Sequence, residues 1–261
     1  MRGLIERSTP VRSVIKMEPV QRALHAVRGC RAVERGRPGF VYRQLRGAGV
    51  ASYRLHNGIT VYVRHGSADM TIFTRIFWRG TYEPPQAIRE RLGGALRVVD
   101  LGANIGLFSA SLGRRATVTA VEADPENAVL LRRMVATSQL PWRVIQAYAA
   151  NEGGTTRFAV GRRCLSKAAP DGDEVEKLDV FPLFDGADLL KMDIEGAEWD
   201  ILADPRFAVA PPIMVMEWHS ERCPGADARL TACELLRQAG YTSFQAPDAG
   251  MVNGHLWAWR G

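Results

Sequence analysis

The 261-residue sequence predicts an α/β fold in which a mostly parallel β-sheet carries helices on both faces. Two patterns predict this fold. From residue 96 onward, short apolar runs typical of buried strands alternate with stretches in which apolar residues recur at helical spacing. The last two runs, residues 241–247 and 254–261, are separated by turn-forming residues and therefore predict an antiparallel hairpin at the end of the sheet.

The first 92 residues are basic and predict an N-terminal extension composed of a helix, a hairpin and a second helix. Apolar residues lie at helical spacing over residues 11–33, and Arg-Gly-Arg-Pro-Gly at 35–39 predicts a break. Residues 50–64 alternate on either side of an Asn-Gly pair, which favours a tight hairpin turn. Residues 69–92 have a helical pattern with an internal loop. The extension could serve as a lid or as the arm of a homodimer.

Residues 93–261 form the predicted main domain, in which strands and helices alternate. Strand patterns occupy residues 96–101, 116–122, 142–150, 155–160, 174–184, 187–194, 211–219, 241–247 and 254–261. Helix patterns occupy residues 107–115, 125–139, a segment from about Ala197, and 227–240. Asp124 and Pro125 are a capping residue and a first-turn residue that a helix start favours.

The charge distribution divides the chain. Residues 1–97 carry 18 Lys and Arg but only 6 Asp and Glu, a net charge of +12, and the remainder carries −6. Such a basic segment could bind an anionic partner. Its arginines are scattered and aromatic residues are not regularly interleaved among them, so the pattern does not favour nucleic acid.

Several classes of protein are excluded by pattern. No stretch approaches the ~18 uninterrupted apolar residues of a membrane helix, and the basic N-terminus lacks the apolar core of a secretory signal. The four cysteines form no C-x-x-C pair, which argues against a zinc ribbon or a disulfide scaffold. These features favour a cytoplasmic protein with reduced thiols.

The first informative motif is a glycine turn after an apolar strand, Val-Val-Asp-Leu-Gly-Ala-Asn-Ile-Gly at 98–106. Gly102 is not followed by the G-x-G-x-x-G spacing of a dinucleotide site, which weakens a nicotinamide oxidoreductase interpretation. Glu122 ends the next strand, 20 residues beyond Gly102. A carboxylate there can accept hydrogen bonds from both hydroxyls of a ribose. An adenosine ligand without pyrophosphate fits best, and S-adenosylmethionine is the commonest such cofactor.

A second acidic motif follows two neighbouring strands of the predicted sheet. Asp193 and Glu195 follow one strand, and Glu217 and His219 end the next. Because ligands bind beyond the carboxyl ends of parallel strands, these side chains should face the same crevice as the glycine turn. Glu198, in a predicted first helical turn, is interpreted as a bystander.

This second motif allows three kinds of chemistry. His219 beside carboxylates can act as a general base, or the polar groups can only bind substrate hydroxyls. The four side chains could also ligate a divalent metal. The remaining histidines lack such a context and are interpreted as surface or structural residues: His25, His56, His65 and His255.

In this order the motifs resemble the FkbM family of S-adenosylmethionine-dependent methyltransferases. The resemblance covers roughly residues 70–260, and the first 50 residues lie outside it. The segments that carry it are residues 74–83, VVDLGANIGLFS at 98–109, VEADPENAVLLRRM at 121–134, QAYAANEGGTTRF at 146–158, KMDIEGAEWDIL at 191–202 and MEWHS at 216–220.

The resemblance implies a class I methyltransferase fold, with a seven-stranded sheet whose last strand is antiparallel. It also implies a set of binding residues. Asp193 and Glu195 would line the methyl-transfer site. The methionine part of the cofactor would contact Asp100, Gly102, Asn104 and Gly106. The ribose would contact Glu122, and the adenine would lie beside Ala123-Asp124 and Tyr148-Ala149.

The predicted function is transfer of the methyl group to a hydroxyl of a small molecule, a sugar or a natural-product scaffold, leaving S-adenosylhomocysteine. His219 or Asp193 would remove the hydroxyl proton, with Glu195 and Glu217 beside them. A metal held by Asp193, Glu217 and His219 is the less favoured mechanism. The alternatives are an RNA or DNA methyltransferase, a carboxylate or peptide methyltransferase, and a non-catalytic module of the same fold.

An acceptor site is also predicted ahead of the main domain. Trp78, Tyr82 and the arginines before residue 97 could shape a pocket for an anionic or aromatic acceptor.

Overall fold

The structure is a computed structural model that describes residues 19–47, 49–158, 172–246 and 253–261. The first part of the predicted N-terminal helix and part of the final turn, including Pro247 and Asp248, lie outside the described residues. Within those residues, no helix has the length and apolar character needed to cross a membrane.

Within the described residues, the N-terminal part contains four α-helices and a hairpin. In chain order they are α1 (Pro19–Gly29), α2 (Arg37–Arg46), β1 (Val50–Arg54), β2 (Thr60–Arg64), α3 (Asp69–Phe77) and α4 (Gln86–Arg89). Strands β1 and β2 pair antiparallel around the Asn-Gly turn, as predicted. Helix α2 was missed because its Pro-Gly pair indicated a break. The proline instead occupies the first turn, where no N–H is needed, after Gly36 has turned the chain at a φ of 83°.

The main domain begins with the strands that build one half of the sheet. These elements are β3 (Leu96–Leu101), α5 (Leu107–Ser111), β4 (Ala116–Glu122), α6 (Pro125–Ser138) and β5 (Arg143–Gln146). The Asp124 side chain caps α6 by accepting hydrogen bonds from two backbone N–H groups, as its position predicted.

A small sheet and the second half of the main sheet follow. Their elements are β6 (Tyr148–Ala150), β7 (Gly154–Phe158), β8 (Asp173–Asp179), β9 (Leu189–Met192), α7 (Glu198–Leu202), β10 (Ile213–Trp218), α8 (Ala228–Gln238), β11 (Ser243–Gln245) and β12 (Gly254–Trp259). The run predicted as one strand at 142–150 divides at Ala147, so β5 joins the main sheet and β6 joins β7 and β8.

The main sheet has seven strands in the order β11-β12-β10-β9-β3-β4-β5. Strand β12 runs opposite to the other six strands, which share one direction. This is the predicted class I methyltransferase sheet. From β3 the chain builds outward to β4 and β5, whereas β9 and β10 lie on the other side of β3. The order therefore reverses between β3 and β9, and a crevice opens at their carboxyl ends.

Two hydrophobic clusters cover the faces of the sheet. One joins Val98 of β3 and Leu131 of α6 to Phe40 and Phe73 of the N-terminal part. The other joins Val99 to residues of α7 and α8. Adjacent strand residues point to opposite faces, so Val98 and Val99 belong to different clusters. The N-terminal helices and hairpin thus complete the core on one face.

Candidate functional site

The glycine turn, residues 102–106, follows β3 and touches the segment that follows β9. Gly102 has a φ of 73°, and a Cβ there would overlap the carbonyl oxygen of Asp193. Gly106 has a φ of 83°, and a Cβ there would overlap Leu131 and Met134. Glycine is needed at both positions because each combines a left-handed backbone with a close approach.

Glu122 joins the glycine turn to the start of α6. Its Oε2 accepts a 2.7 Å hydrogen bond from the Asn104 N–H, and its Oε1 accepts one of 2.9 Å from the Asp124 N–H and one of 3.4 Å from the Asn127 side chain. Burial raises the pKa of Glu122 to about 7, although these hydrogen bonds favour the charged form. A carboxylate has lone pairs beyond those used here, so two ribose hydroxyls remain compatible with this arrangement.

Below the turn lies a buried ion pair. Lys191 Nζ lies 3.2 Å from Asp100 Oδ1 and donates to the Gly102 carbonyl oxygen at 2.6 Å. Ser109 donates to Asp100 Oδ2 at 2.6 Å. Burial lowers the pKa of Lys191, but Asp100 and Asp193 outweigh it and raise that pKa. Asp100 thus supports the turn from beneath. Lys191 was missed, although a lysine within an otherwise apolar strand was its signal.

The predicted acidic residues meet at the carboxyl ends of β9 and β10, and we call Asp193, Glu195, Glu217 and His219 the acidic cluster. His219 Nε2 lies 3.5 Å from Glu195 Oε2 and 3.9 Å from Asp193 Oδ1. Burial and the neighbouring carboxylates raise the pKa of Asp193, and burial raises that of Glu195 to about 7. Ligand atoms of Asp193, Glu195 and His219 lie within 4.8 Å of one another, and a divalent cation accepts such oxygen and imidazole ligands.

Glu198 holds His219 in place. The His219 Nδ1–H donates to Glu198 Oε1 at 2.9 Å, and Glu198 accepts the N–H groups of Ile194 and Gly196 at 2.9 and 2.8 Å. Burial lowers the pKa of His219, but Glu198, Asp193 and Glu195 outweigh it and raise the pKa to about 9. The sequence interpretation of Glu198 as a bystander was wrong, because this fully buried carboxylate orients the histidine.

Glu217 faces away from the centre of the acidic cluster. Its Oε2 lies 3.1 Å from His255 Nε2 and 3.6 Å from Arg75 Nη2. Burial opposes ionisation of Glu217, but His255 and Arg75 lower its pKa to about 2. His255 was interpreted as surface or structural, whereas it is buried beside a predicted site residue.

Tyr82, from the loop between α3 and α4, reaches the acidic cluster. Its hydroxyl donates to Asp193 Oδ2 at 3.2 Å, and its ring contacts Phe108 and His255 edge to face. Burial and Asp193 raise the pKa of Tyr82, which keeps the phenol protonated as a donor. Trp78, by contrast, stacks under Arg31 and is 41% exposed.

The remaining predicted binding residues, Ala123 and Tyr148, follow β4 and β5. Ala123 directly follows Glu122 and is partly exposed. Tyr148 begins β6 and lines a cleft of about 660 Å³ together with Asp200 of α7 and Arg222, which follows β10. The side chain of Tyr148 thus faces residues that follow β9 and β10.

The family model described as the methyltransferase FkbM domain matches residues 100–243, more than half of the chain. The chain belongs to the FkbM methyltransferase family. It is an S-adenosylmethionine-dependent methyltransferase. The matched range contains the glycine turn, Glu122 and the acidic cluster, whereas Tyr82 lies ahead of it. No curated protein matches the chain by sequence.

Solved methyltransferase structures are similar in their fold. A precorrin-6y C5,15-methyltransferase from Geobacter metallireducens is 17% identical over 67% of this chain and 88% of that chain, with a TM-score of 0.39. A methyltransferase from Aquifex aeolicus has the same identity and coverage, with a TM-score of 0.37. A 16S rRNA N2 G1207 methyltransferase from T. thermophilus is 15% identical over 82% of this chain and 50% of that chain, with a TM-score of 0.43.

The residues of the crevice fit S-adenosylmethionine. Two glycines let the turn after β3 pack closely against Asp193 and α6, and a buried carboxylate ends β4 at the position suited to a ribose. Asp193 is partly exposed where the segment after β9 meets the glycine turn, and it offers negative charge to a ligand cation. When bound, the cofactor supplies a methyl group on a positively charged sulfur.

Proposed function

We propose that the protein transfers the methyl group to a hydroxyl oxygen of a small molecule such as a sugar or a natural-product scaffold. The observation that carries this proposal is the pairing of Asp193 and His219 at the mouth of the crevice. Asp193 touches the glycine turn, so a group that removes a proton lies beside the predicted position of the cofactor.

The glycine-turn side has a binding role in this proposal. Glu122 accepts the ribose hydroxyls, and the turn with Asn104 surrounds the methionine part, supported by Asp100. Ala123 and Tyr148 border the adenine. These assignments are supported by the fixed geometry of Glu122, both of whose oxygens are already held by N–H groups of the protein.

The acidic cluster has the chemical role. With a pKa of about 9, His219 is an imidazolium at neutral pH and has no free lone pair for a proton. Asp193 is therefore the proposed base, and the charged His219 stabilises the crowded carboxylates around it. Positioning the hydroxyl supplies most of the acceleration, and proton removal adds about 10²–10⁴-fold.

Tyr82 connects the N-terminal extension with this chemistry. Its hydroxyl donates to Asp193, and its ring contacts His255, which lines a surface cleft next to the acidic cluster. We propose that the described part of the extension, residues 19–47 and 49–92, acts as a fixed wall of the acceptor site. Support comes from Phe40 and Phe73, which join the hydrophobic cluster of the main sheet.

The test is a methyl-transfer assay with labelled S-adenosylmethionine and a panel of sugars, polyketides, phenols, carboxylic acids and RNA. Label that is retained after mild alkali in a sugar or polyketide product indicates an ether methyl and supports the proposal. Label released by alkali indicates a methyl ester, and label in RNA indicates a nucleic-acid methyltransferase. Either of these results would overturn it.

A further inference from the structure

A surface cleft of about 690 Å³ lies beside the acidic cluster. One wall is formed by the end of α3 and the loop leading to α4, and the other by β12. Glu217 and His255 form part of its lining, and both also border the acidic cluster. The cleft is therefore next to the predicted site of methyl transfer.

Three arginines line this cleft, and they differ in their partners. Arg75 is held by Glu217 at 3.6 Å, and Arg89 lies 3.6 Å from the exposed Glu83. Arg79 is exposed and makes no ion pair or side-chain hydrogen bond with any residue in the described parts of the chain. Its charge is free to bind an anion from solution.

The other polar groups of the cleft suit a ligand rich in hydroxyls. Thr81, Gln86, Gln245 and Asn253 offer neutral donors and acceptors. The Trp257 indole Nε1 is buried and lacks a hydrogen-bond partner among the residues that the structure describes. A buried N–H group without a partner is costly, so a ligand oxygen would stabilise it.

We propose that this cleft binds the acceptor, and that the acceptor is a polyhydroxylated small molecule carrying one phosphate or carboxylate group held by Arg79 and Arg89. This inference rests on the proposed function, since it places the acceptor beside Glu217 and His255, which border the acidic cluster that holds the proposed base Asp193. A nucleic-acid strand fits less well, because Glu83 and Glu217 place negative charge at the cleft, where successive phosphates would have to lie.

The test measures binding to the complex of the protein with S-adenosylhomocysteine. The probes are glucose 6-phosphate, glucuronate and the neutral methyl glucoside, and the readout is the indole NMR signal of Trp257, assigned with Trp257→Phe. We expect a charged probe to bind at least about tenfold more tightly than the neutral sugar, as a charge-assisted hydrogen bond requires. The difference between the two charged probes identifies the anionic group.

Matched arginine variants locate the binding. We expect Arg79→Ala to weaken binding of the charged probe about tenfold and to leave the affinity for the neutral sugar unchanged. Arg143→Ala is the control, because Arg143 is equally exposed but lies at the start of β5, at the far edge of the sheet.

Three results would overturn the inference: no binding by either charged probe, equal binding of charged and neutral sugars, or equal losses in the two variants. A short single-stranded RNA that binds more tightly than both sugars, again through Arg79, would also overturn it. The proposed function fails separately. If anions bind through Arg79 but no methyl ether forms, the acceptor subsite is supported and the proposed O-methyltransferase activity is wrong.

Discussion

The two sides of the crevice balance their buried carboxylates in different ways. On the glycine-turn side, backbone N–H groups hold Glu122, and a lysine with a serine holds Asp100. On the other side, Asp193 and Glu195 face mainly each other and His219. The pKa of both Glu122 and Glu195 is raised to about 7, chiefly by burial.

The carboxylates on the two sides differ in how firmly fixed donors hold them, which suits one side to ligand binding and the other to proton transfer. Groups that are saturated by fixed donors keep their positions and suit the binding of a ligand. Groups that share charge with a histidine and remain partly exposed can exchange protons at little structural cost. On this basis we propose cofactor binding for the first side and proton transfer for the second.

The largest expected effect comes from breaking the acidic cluster. Asp193→Asn keeps the shape of the side chain but removes the proposed base, so we expect the methyl-transfer rate at saturating cofactor to fall about 10²–10⁴-fold. Asp185→Asn, an exposed change at the other end of β9, is the control and should leave the rate unchanged. A loss of less than threefold in Asp193→Asn would remove Asp193 from the chemistry.

The next effect concerns the binding side. Glu122→Gln removes the charge that accepts two backbone N–H groups, so we expect the KM for S-adenosylmethionine to rise about 10–100-fold while kcat changes little. The control is Glu126→Gln, because Glu126 lies one turn away and is 62% exposed. A fall in kcat with no change in KM would reverse the assignment of the two sides.

A third effect is on the pH dependence of stability and isolates the contribution of His219. The pKa of His219 is about 9 in the folded protein against 6.5 for the free side chain. The folded state thus binds this proton more tightly, and its contribution, about 3 kcal/mol, is complete below pH 6.5 and lost as the pH rises through 9. Glu122 and Glu195 act in a lower window, from about pH 4.5 to 7, also with stability falling as pH rises.

The measurement is urea unfolding across pH 6–10 for the wild type and His219→Gln. We expect the decline of the free energy of unfolding between pH 6.5 and 9 to flatten in the variant and to persist in His56→Gln, a change at an exposed histidine. A decline in His219→Gln as steep as that of the wild type would show that His219 does not hold the extra proton.

The smallest effect tests the link between the extension and the acidic cluster. Tyr82→Phe removes one neutral donor from Asp193, worth about 1 kcal/mol, so we expect a rate loss of about 3–10-fold with no change in cofactor affinity. Tyr42→Phe is the matched control because Tyr42 is 58% exposed. An unchanged rate in Tyr82→Phe would mean that the wall does not position the base.

Sequence patterns correctly predicted the elements that depend on residues close together in the chain. The hairpin, the alternation of the main sheet, the Asp124 cap and the glycine turn with Glu122 all follow from spacing and turn residues. The family resemblance, now confirmed, added the antiparallel last strand. Strand ends also indicated that Asp193, Glu195, Glu217 and His219 would lie at one edge.

The missed features depend on contacts between distant segments. Glu198 looked like an ordinary acidic residue of a first helical turn until β10 brought His219 against it. His255 meets Glu217 only because β12 inserts beside β10, and Lys191 meets Asp100 across neighbouring strands. No periodicity in the chain records such pairings, since each depends on strand order and register.

The most direct test of the division between the two sides is calorimetric binding of S-adenosylhomocysteine to the wild type, Glu122→Gln and Asp193→Asn. We expect Glu122→Gln to weaken binding of S-adenosylhomocysteine about 10–100-fold, whereas the affinity of Asp193→Asn stays within about threefold of the wild type. Equal weakening by both variants, or a larger loss in Asp193→Asn, would contradict it.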